Sequence, residues 1–315
     1  ICNEIPVKIL FICSNLIGDT ILSSGAINYI ISQNKEAKLT FVIGPTAAPL
    51  LKNYKNIENI IIFKKRKFNL HWIDIFKKTY TTKWDIIVDF RSSALSLLLK
   101  NNKKYIFKKH YNIHHIEQLN LSFGFKCSNL FIPTSDDEFN KVNNHLDSSF
   151  KHVVIFPGGN WTPKLWSTEN YNETMKLLIN KYDKIKFILV GSLNEKNKFY
   201  NQLIKDIREE SIIDLFGYNL TLTSAYMKKS DIFIGNDSGL MHLAVASNLR
   251  VISLFGPTND AVYGPNGDKN IVIRTKENYD YFKSLKINEN KSYMSSIKPE
   301  IVFKKCEKII NDKFN

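Results

Sequence analysis

Cysteine is scarce in this chain. Cys2, Cys13, Cys127 and Cys306 are the only four in 315 residues, and no two stand at metal-ligand or redox spacing. That disfavours a zinc module and a disulfide framework, and leaves thiols incidental to a fold kept in a reducing cytoplasm. No apolar run reaches the roughly 18 to 20 residues that span a bilayer. No G-x-G-x-x-G follows the first apolar run, which disfavours a nicotinamide-binding domain. A Walker A loop is missing as well, and no D-x-D follows a strand to hold a diphosphate through a metal. His114 and His115 have no cysteine or acid at ligand spacing, so no metal site is expected. There is neither a tandem repeat nor a low-complexity tract. Ile1 is not methionine, so the natural start is expected further upstream. The segment "PVKILFICSN" has no cleavage site and runs straight into fold-like pattern, unlike a signal peptide.

What is present is a basic, ordinary globular composition. Hydrophobic residues make up 43% and charged residues 23%, the balance of a folded protein and not of a disordered one. Forty-four basic against 30 acidic residues give a formal charge of +14. Such a field favours anionic partners: nucleic acid, phosphorylated glycan or an anionic membrane face. A compositional bias toward Lys, Asn and Ile accounts for it equally well. The basic stretches 64–67 and 100–110 are the notable charge runs, and such runs usually form solvated faces. Apart from charge nothing suggests nucleic acid, because no recognised nucleic-acid motif occurs.

Short β-branched runs alternate with segments of 3.6-residue period. Strands are expected at 8–13, 39–43, 57–63 and 85–89, with weaker ones at 104–107 and 129–132. In the second half they are expected at 152–156, 186–190, 212–215, 231–235, 250–255 and 271–274. Helices fit at 168–181, 195–209, 220–230 and 240–247. After Asp19 another begins, with Leu22, Ala26 and Ile30 on one face. Two such alternations predict an α/β protein of two doubly wound domains. The polar stretch "TSDDEFNKVNNHLDSSFK" places the boundary near its end. The expected division is 1–149, 150–296 and a final helix within 297–315, carrying Ile301, Val302, Cys306, Ile309 and Ile310 on one side.

In open α/β sheets ligands bind beyond the carboxyl ends of strands, and four stretches stand there. In "LIGDT", Gly18 permits a tight turn, and Asp19 is either a helix cap or a chemical acid. In "FPGGNWTPKLW", Gly158 and Gly159 open the backbone while Asn160, Thr162 and Lys164 bring polar groups and a cation, the parts of a phosphate cradle. An ordinary glycine-rich loop with a surface lysine has the same letters. In "LVGSLNEKN", Glu195 could accept bonds from ribose hydroxyls or merely favour its helix start. In "IFIGNDSGLMHLAVAS", Asn236, Asp237, Ser238 and Gly239 lead from a strand into a helix whose free N–H groups suit a diphosphate. His242 follows one turn later, where a satisfied structural histidine is the commoner case. "SLFGPTND" adds a Gly-Pro turn after the next strand.

In this order and spacing, "LIGD", "PGGN…KLW", "VGS…E", "GNDSGLMHLA" and "LFGPT" resemble glycosyltransferase family 9, the bacterial heptosyltransferases of lipopolysaccharide core assembly. The likeness runs from about Val7 to Thr258. It implies a GT-B fold, with two Rossmann-like domains facing a central cleft and a C-terminal helix crossing back to the N-terminal domain. It also implies inverting, metal-independent transfer from ADP-heptose, with the acceptor in the N-terminal domain and the nucleotide sugar in the C-terminal one. No cofactor is implied beyond that co-substrate.

Carried over residue by residue, Asp19 matches the catalytic aspartate and Lys164 the phosphate-binding lysine. Gly159 and Asn160 match the pair before that lysine, Glu195 the ribose-binding acid, and Tyr218 a position beside the adenine. Asp237, Ser238, Gly239 and His242 match the donor loop and helix start. Gly18 and Arg91 fall on the acceptor side. There Arg91 and Leu95 replace the glutamine and lysine of many members, so the acceptor is expected to differ. The implied partners are a nucleotide sugar and an anionic glycolipid, met in the cytoplasm at the periphery of the inner membrane, with no nucleic acid. Two other readings stay open: a GT-B transferase using another nucleotide sugar or a protein acceptor, and a glycan-binding scaffold without turnover. Loss of Asp19, Lys164 or the "NDSG" loop would have favoured the scaffold, and all are present.

Overall fold

The computed structural model describes residues 6–311. Its contacts divide the chain into two compact units, meeting in sequence at Pro133 and Thr134. In the first unit the strands are Lys8–Ile12 (β1), Lys38–Ile43 (β2), Ile57–Ile62 (β3), Trp84–Asp89 (β4) and Asn101–Ile106 (β5). The helices between and after them are Ile17–Ser32 (α1), His71–Thr79 (α2), Leu95–Leu98 (α3) and His115–Phe123 (α4). All strand pairs are parallel, in the order β3-β2-β1-β4-β5. The chain therefore starts in mid-sheet and winds outward twice, so the strand order reverses between β1 and β4.

The second unit opens with a helix, Asp136–His145 (α5), and then repeats the scheme. Its strands are Lys151–Phe156 (β6), Ile185–Leu189 (β7), Ile212–Asp214 (β8), Ile232–Asn236 (β9), Arg250–Phe255 (β10) and Ile271–Arg274 (β11). Its remaining helices are Thr168–Lys181 (α6), Leu193–Leu203 (α7), Leu220–Lys228 (α8), Gly239–Ala246 (α9), Asp260–Tyr263 (α10), Tyr279–Ser284 (α11) and Pro299–Asn311 (α12). The sheet is again all parallel, ordered β11-β10-β9-β6-β7-β8. Here the reversal lies between β6 and β9. Strands buried on both faces, such as β6 and β9 with "VVIF" and "IFIG", read as unbroken apolar runs for this reason.

Two expectations are corrected. The segment 129–132 is not a strand. It crosses α1 at Gly25, where an added Cβ would meet the Cys127 carbonyl oxygen at 2.0 Å. Its backbone bonds go to side chains instead: Phe131 N–H donates to Ser24 Oγ at 3.1 Å, and Asn28 Nδ2 donates to the Phe131 carbonyl at 2.9 Å.

The unit boundary lies at 133/134 and not at 149/150, because the polar stretch is a helix of the second unit. Ser135 and Glu138 form a capping box that starts α5. Thr221 Oγ1 of α8 then donates to Glu138 Oε1 at 2.5 Å, and His145 Nδ1 pairs with Tyr226 OH at 2.6 Å.

The resemblance implies that the final helix, α12, crosses back to the first domain, and the last of its expected residues lie outside the described ones. Among the described residues its apolar side packs within the second unit: Val302, Cys306, Ile309 and Ile310 join the core of Met175 and Leu178 on α6. Ile301 points away and is exposed.

Cys13, Cys127 and Cys306 are free and buried, and Cys2 lies outside the described residues. Burial pushes the Cys127 thiol up to about 12 and those of Cys13 and Cys306 higher still, so these thiols are inert packing groups. No described helix is long and apolar enough to cross a membrane.

Candidate active site

In the second unit the "PGGN" and "NDSG" stretches follow β6 and β9, which are hydrogen-bonded neighbours. Their loops therefore leave the sheet side by side at the point where strand order reverses, the usual ligand edge of such a sheet. Asn236 ties them together. It is fully buried, and its Nδ2 donates to the carbonyls of Pro157 at 3.2 Å and Gly158 at 3.0 Å. Its Oδ1 accepts from the Trp166 N–H at 3.0 Å. A side-chain amide offers donors and an acceptor at once, and this one uses both kinds.

Lys164 sits on a short turn, Thr162–Lys164, opened by Pro163. Its Nζ lies 3.7 Å from Asp237 Oδ2, and both side chains are nearly buried at 12% and 11% exposure. A lysine held there over a glycine-rich backbone is a fixed cation at the sheet edge. Ser238 is the N-cap of α9, its Oγ accepting from the Met241 N–H at 3.2 Å. The N–H groups of Gly239 and Leu240 have no intrahelical partner by helix geometry, so this end attracts an anion. His242 lies buried in the first turn of α9.

Glu195 takes the helix-start role, one of the two that its sequence position allows, and adds a contact to the neighbouring loop. It completes a capping box with Ser192 at the start of α7, and its Oε1 also accepts from the Gly159 N–H at 3.0 Å. A Cβ at Gly158 would sit 2.0 Å from that same Oε1, so a larger residue there would displace the Glu195 carboxylate. Glu195 thus fixes the glycine-rich loop from the side, next to Asn160. The loops after β7 and β8 are joined by Gly217 N–H donating to Gly191 O at 2.8 Å, and Tyr218 stands half-exposed beside them. Two contributors escaped the sequence reading. One is the Asn236 amide. The other is Arg274 at the end of β11, which grips the "FGPT" turn through the carbonyls of Thr258 and Gly256 and the carboxylate of Asp260.

In the first unit the corresponding reversal point lies between β1 and β4, where Ile12 pairs with Asp89. Gly18 and Asp19 occupy the first turn of α1, whose N-cap is Leu16 and has no side-chain cap. Asp19 is therefore not the capping residue. Its Oδ2 accepts from Ser14 Oγ at 3.0 Å, and it stays partly exposed. Asp89 is fully buried and holds the next turn, accepting from Arg91 N, Ser93 N and Ser93 Oγ at 2.8, 2.8 and 2.7 Å.

Arg91 lies with its guanidinium 5.2 Å from the ring centre of Phe63 and 5.3 Å from that of Trp72. Its Nη1 is buried without a hydrogen-bond partner. Burial lowers its pKa, while Asp89 and Asp19 act to raise it. Burial likewise lowers that of His115, against a raising influence from Asp19. Asp19 thus stands within electrostatic reach of Arg91 and His115. Beside Arg91 opens a cavity of about 540 Å³, walled by Trp72, Phe76, Ser93, Leu95 and Leu98. The sequence-predicted residues thus gather at two strand edges, one in each unit. Among the described residues no group of three or more His, Cys, Asp or Glu is placed to hold a metal ion.

Comparison with known proteins identifies the family and the fold. The model of a family described as "Glycosyltransferase family 9 (heptosyltransferase)" matches residues 98–292. Lipopolysaccharide heptosyltransferase 1 of Campylobacter coli is 22% identical, over 97% of this chain and 99% of that protein. A glycosyl transferase family 9 structure from Veillonella parvula superposes with a TM-score of 0.78 at 18% identity, covering 98% and 99% of the two chains. The E. coli heptosyltransferase WaaC with ADP superposes at 0.72 and 16% identity, covering 96% and 100%. These superpositions identify the fold as GT-B.

Proposed function

From the premise that the chain belongs to glycosyltransferase family 9, we propose that it transfers a heptose from ADP-heptose to lipopolysaccharide or a related surface glycan. Transfer is with inversion and without a metal. The observation that carries the reading is the β6/β9 edge of the second unit. There a nearly buried lysine, a glycine-rich loop and a capped helix start converge. These groups suit a diphosphate.

In the reaction Asp19 takes the proton of an acceptor hydroxyl. The hydroxyl oxygen forms a bond to the anomeric carbon as the bond from that carbon to the ADP oxygen breaks. The sugar passes through oxocarbenium character, as in glycoside cleavage. Negative charge builds on the departing ADP, and Lys164 with the α9 start stabilises it. Gly159, Asn160 and Glu195 shape the diphosphate and ribose side, Tyr218 lies by the adenine, and Asp237, Ser238, Gly239 and His242 form the donor loop. Gly18 and Arg91 serve the acceptor. The enzyme works in the cytoplasm at the periphery of the inner membrane, on an anionic glycolipid.

A panel of nucleotide sugars, read by acceptor-dependent nucleotide release, tests the donor. ADP-heptose is expected to be turned over and UDP- or GDP-sugars are not. Release from another nucleotide sugar alone would overturn the assignment. A second reading concerns the acceptor. Arg91, unbonded at Nη1 beside its cavity, favours an acceptor that differs from the common inner-core sugar.

A further inference from the structure

The stretch from Lys64 to Lys78, "KKRKFNLHWIDIFKK", carries six basic residues and one acid. That acid, Asp74, is paired with Arg66 at 2.6 Å, so the net field of the segment is strongly positive. A general bias toward lysine accounts for the charge. It does not account for the apolar residues set among the charges. Phe68 is 92% exposed, and Leu70 and Ile73 are exposed as well. Phe68 and Asn69 both hold left-handed backbone, φ 53° and 57°, a conformation that bulky residues rarely adopt. The effect is to present the Phe68 ring to solvent in place of the core.

The apolar surface does not stop at this loop. Helix α2 buries His71, Ile75 and Thr79 against its unit and turns Ile73, Lys77 and Lys78 outward. Ile73 and Leu98 of α3 line one cavity, so the exposed Leu97 and Leu98 continue the same face. Trp72, partly buried between them, has the amphipathic ring that favours a headgroup region. Apolar residues flanked by cations match one kind of partner: a surface that is anionic outside and hydrocarbon beneath.

We propose that this face, the 64–70 loop with α2 and α3, docks on an anionic phospholipid bilayer, with Phe68 and Ile73 entering the acyl boundary and the lysines meeting the headgroups. The proposal rests on the reading of an enzyme at the membrane periphery and deepens it by naming the face that meets the bilayer; it is tested without acceptor or donor, so it and the transferase reading can fail separately.

The test is sedimentation of the full chain with vesicles of phosphatidylcholine, with and without phosphatidylglycerol. The chain is expected to bind only the anionic vesicles, to be released by salt, and to show a blue shift of tryptophan emission. Phe68→Ser should lower partitioning about tenfold and Lys64→Gln about fivefold, since each basic group near the surface is worth about that factor. Unchanged midpoints of urea unfolding would show that both variants are folded. Equal binding to neutral vesicles, or no loss in either variant, would overturn the proposal. So would a dimer without vesicles that Phe68→Ser dissociates, which would make a second copy of this chain the occupant of the face.

Discussion

Asp89 and Asn236 occupy the same place in two sheets of the same winding. Each ends the strand beside the reversal point, and each is fully buried. Their chemistry differs by one group, and the two edges differ accordingly. The Asn236 amide donates and accepts, so it can bridge separate segments, binding the 157–158 carbonyls and the Trp166 N–H. The carboxylate of Asp89 can only accept, so it gathers the N–H groups of its own turn. One edge becomes a cross-linked pair of loops around Lys164. The other keeps an unbonded guanidinium and a cavity beside it. A cross-linked edge suits an unvarying ligand such as a nucleotide diphosphate. The looser edge leaves more room for a ligand to settle beside Arg91, as the proposed acceptor would.

Breaking the chemistry of the looser edge should have the largest effect. Asp19→Asn is expected to cut acceptor-dependent turnover about a thousandfold, the middle of the usual range for a lost general base. Donor affinity should hold, and wild-type turnover would remove Asp19 from the base role. Next comes the cross-linked edge. Lys164→Ala removes the cation and leaves Asp237 without that partner, so ADP affinity by calorimetry should fall about 10- to 100-fold, within what one lost stabilising group costs.

The comparison itself is sharpened by exchanging the two residues. Asn236→Asp sets a carboxylate against two carbonyls and should destabilise the protein by about 2–4 kcal/mol in urea. Asp89→Asn loses only charge-assisted bonds within one turn, and about 1–2 kcal/mol is expected. Equal losses would mean that bridging does not distinguish the two edges.

The smallest effect is electrostatic. Burial holds the His115 pKa below its ordinary 6.5, so its folded value lies under its unfolded one. The unfolded chain then binds the proton first as pH falls. The His115 contribution to stability is therefore full above pH 6.5 and declines as pH drops toward the folded value. His115→Gln should flatten that part of the stability–pH curve. Asp19→Asn, by removing an influence that raises the pKa, should move the His115 titration, followed by NMR, to lower pH.

Much of this molecule was written in local pattern. Short apolar runs located all eleven strands of the described residues, β5 over its second half only, and turn residues after those runs named the second-unit loops that the structure brings together. The capping box of Ser135 and Glu138 was legible too, but it was passed over because the polar stretch around it reads as a linker. It is a helix because Val142 is buried and Glu138 meets Thr221, a contact 83 positions away.

Other facts had no local signal. The 129–132 run has strand residues but no strand partner, since α1 takes its hydrogen bonds. Asp19 has the spacing of a cap but stands in the first turn, bonded to Ser14. Glu195 is both cap and loop anchor because β6 delivers Gly159 to it across the sheet. Sequence alone determined where the strands of both sheets run and which residues crowd their ends, because those depend on neighbours along the chain. Which buried group meets which, and so where the units divide and what each acid does, only the tertiary structure decided, because a hydrogen bond is satisfied by whatever the fold brings within 3 Å or so.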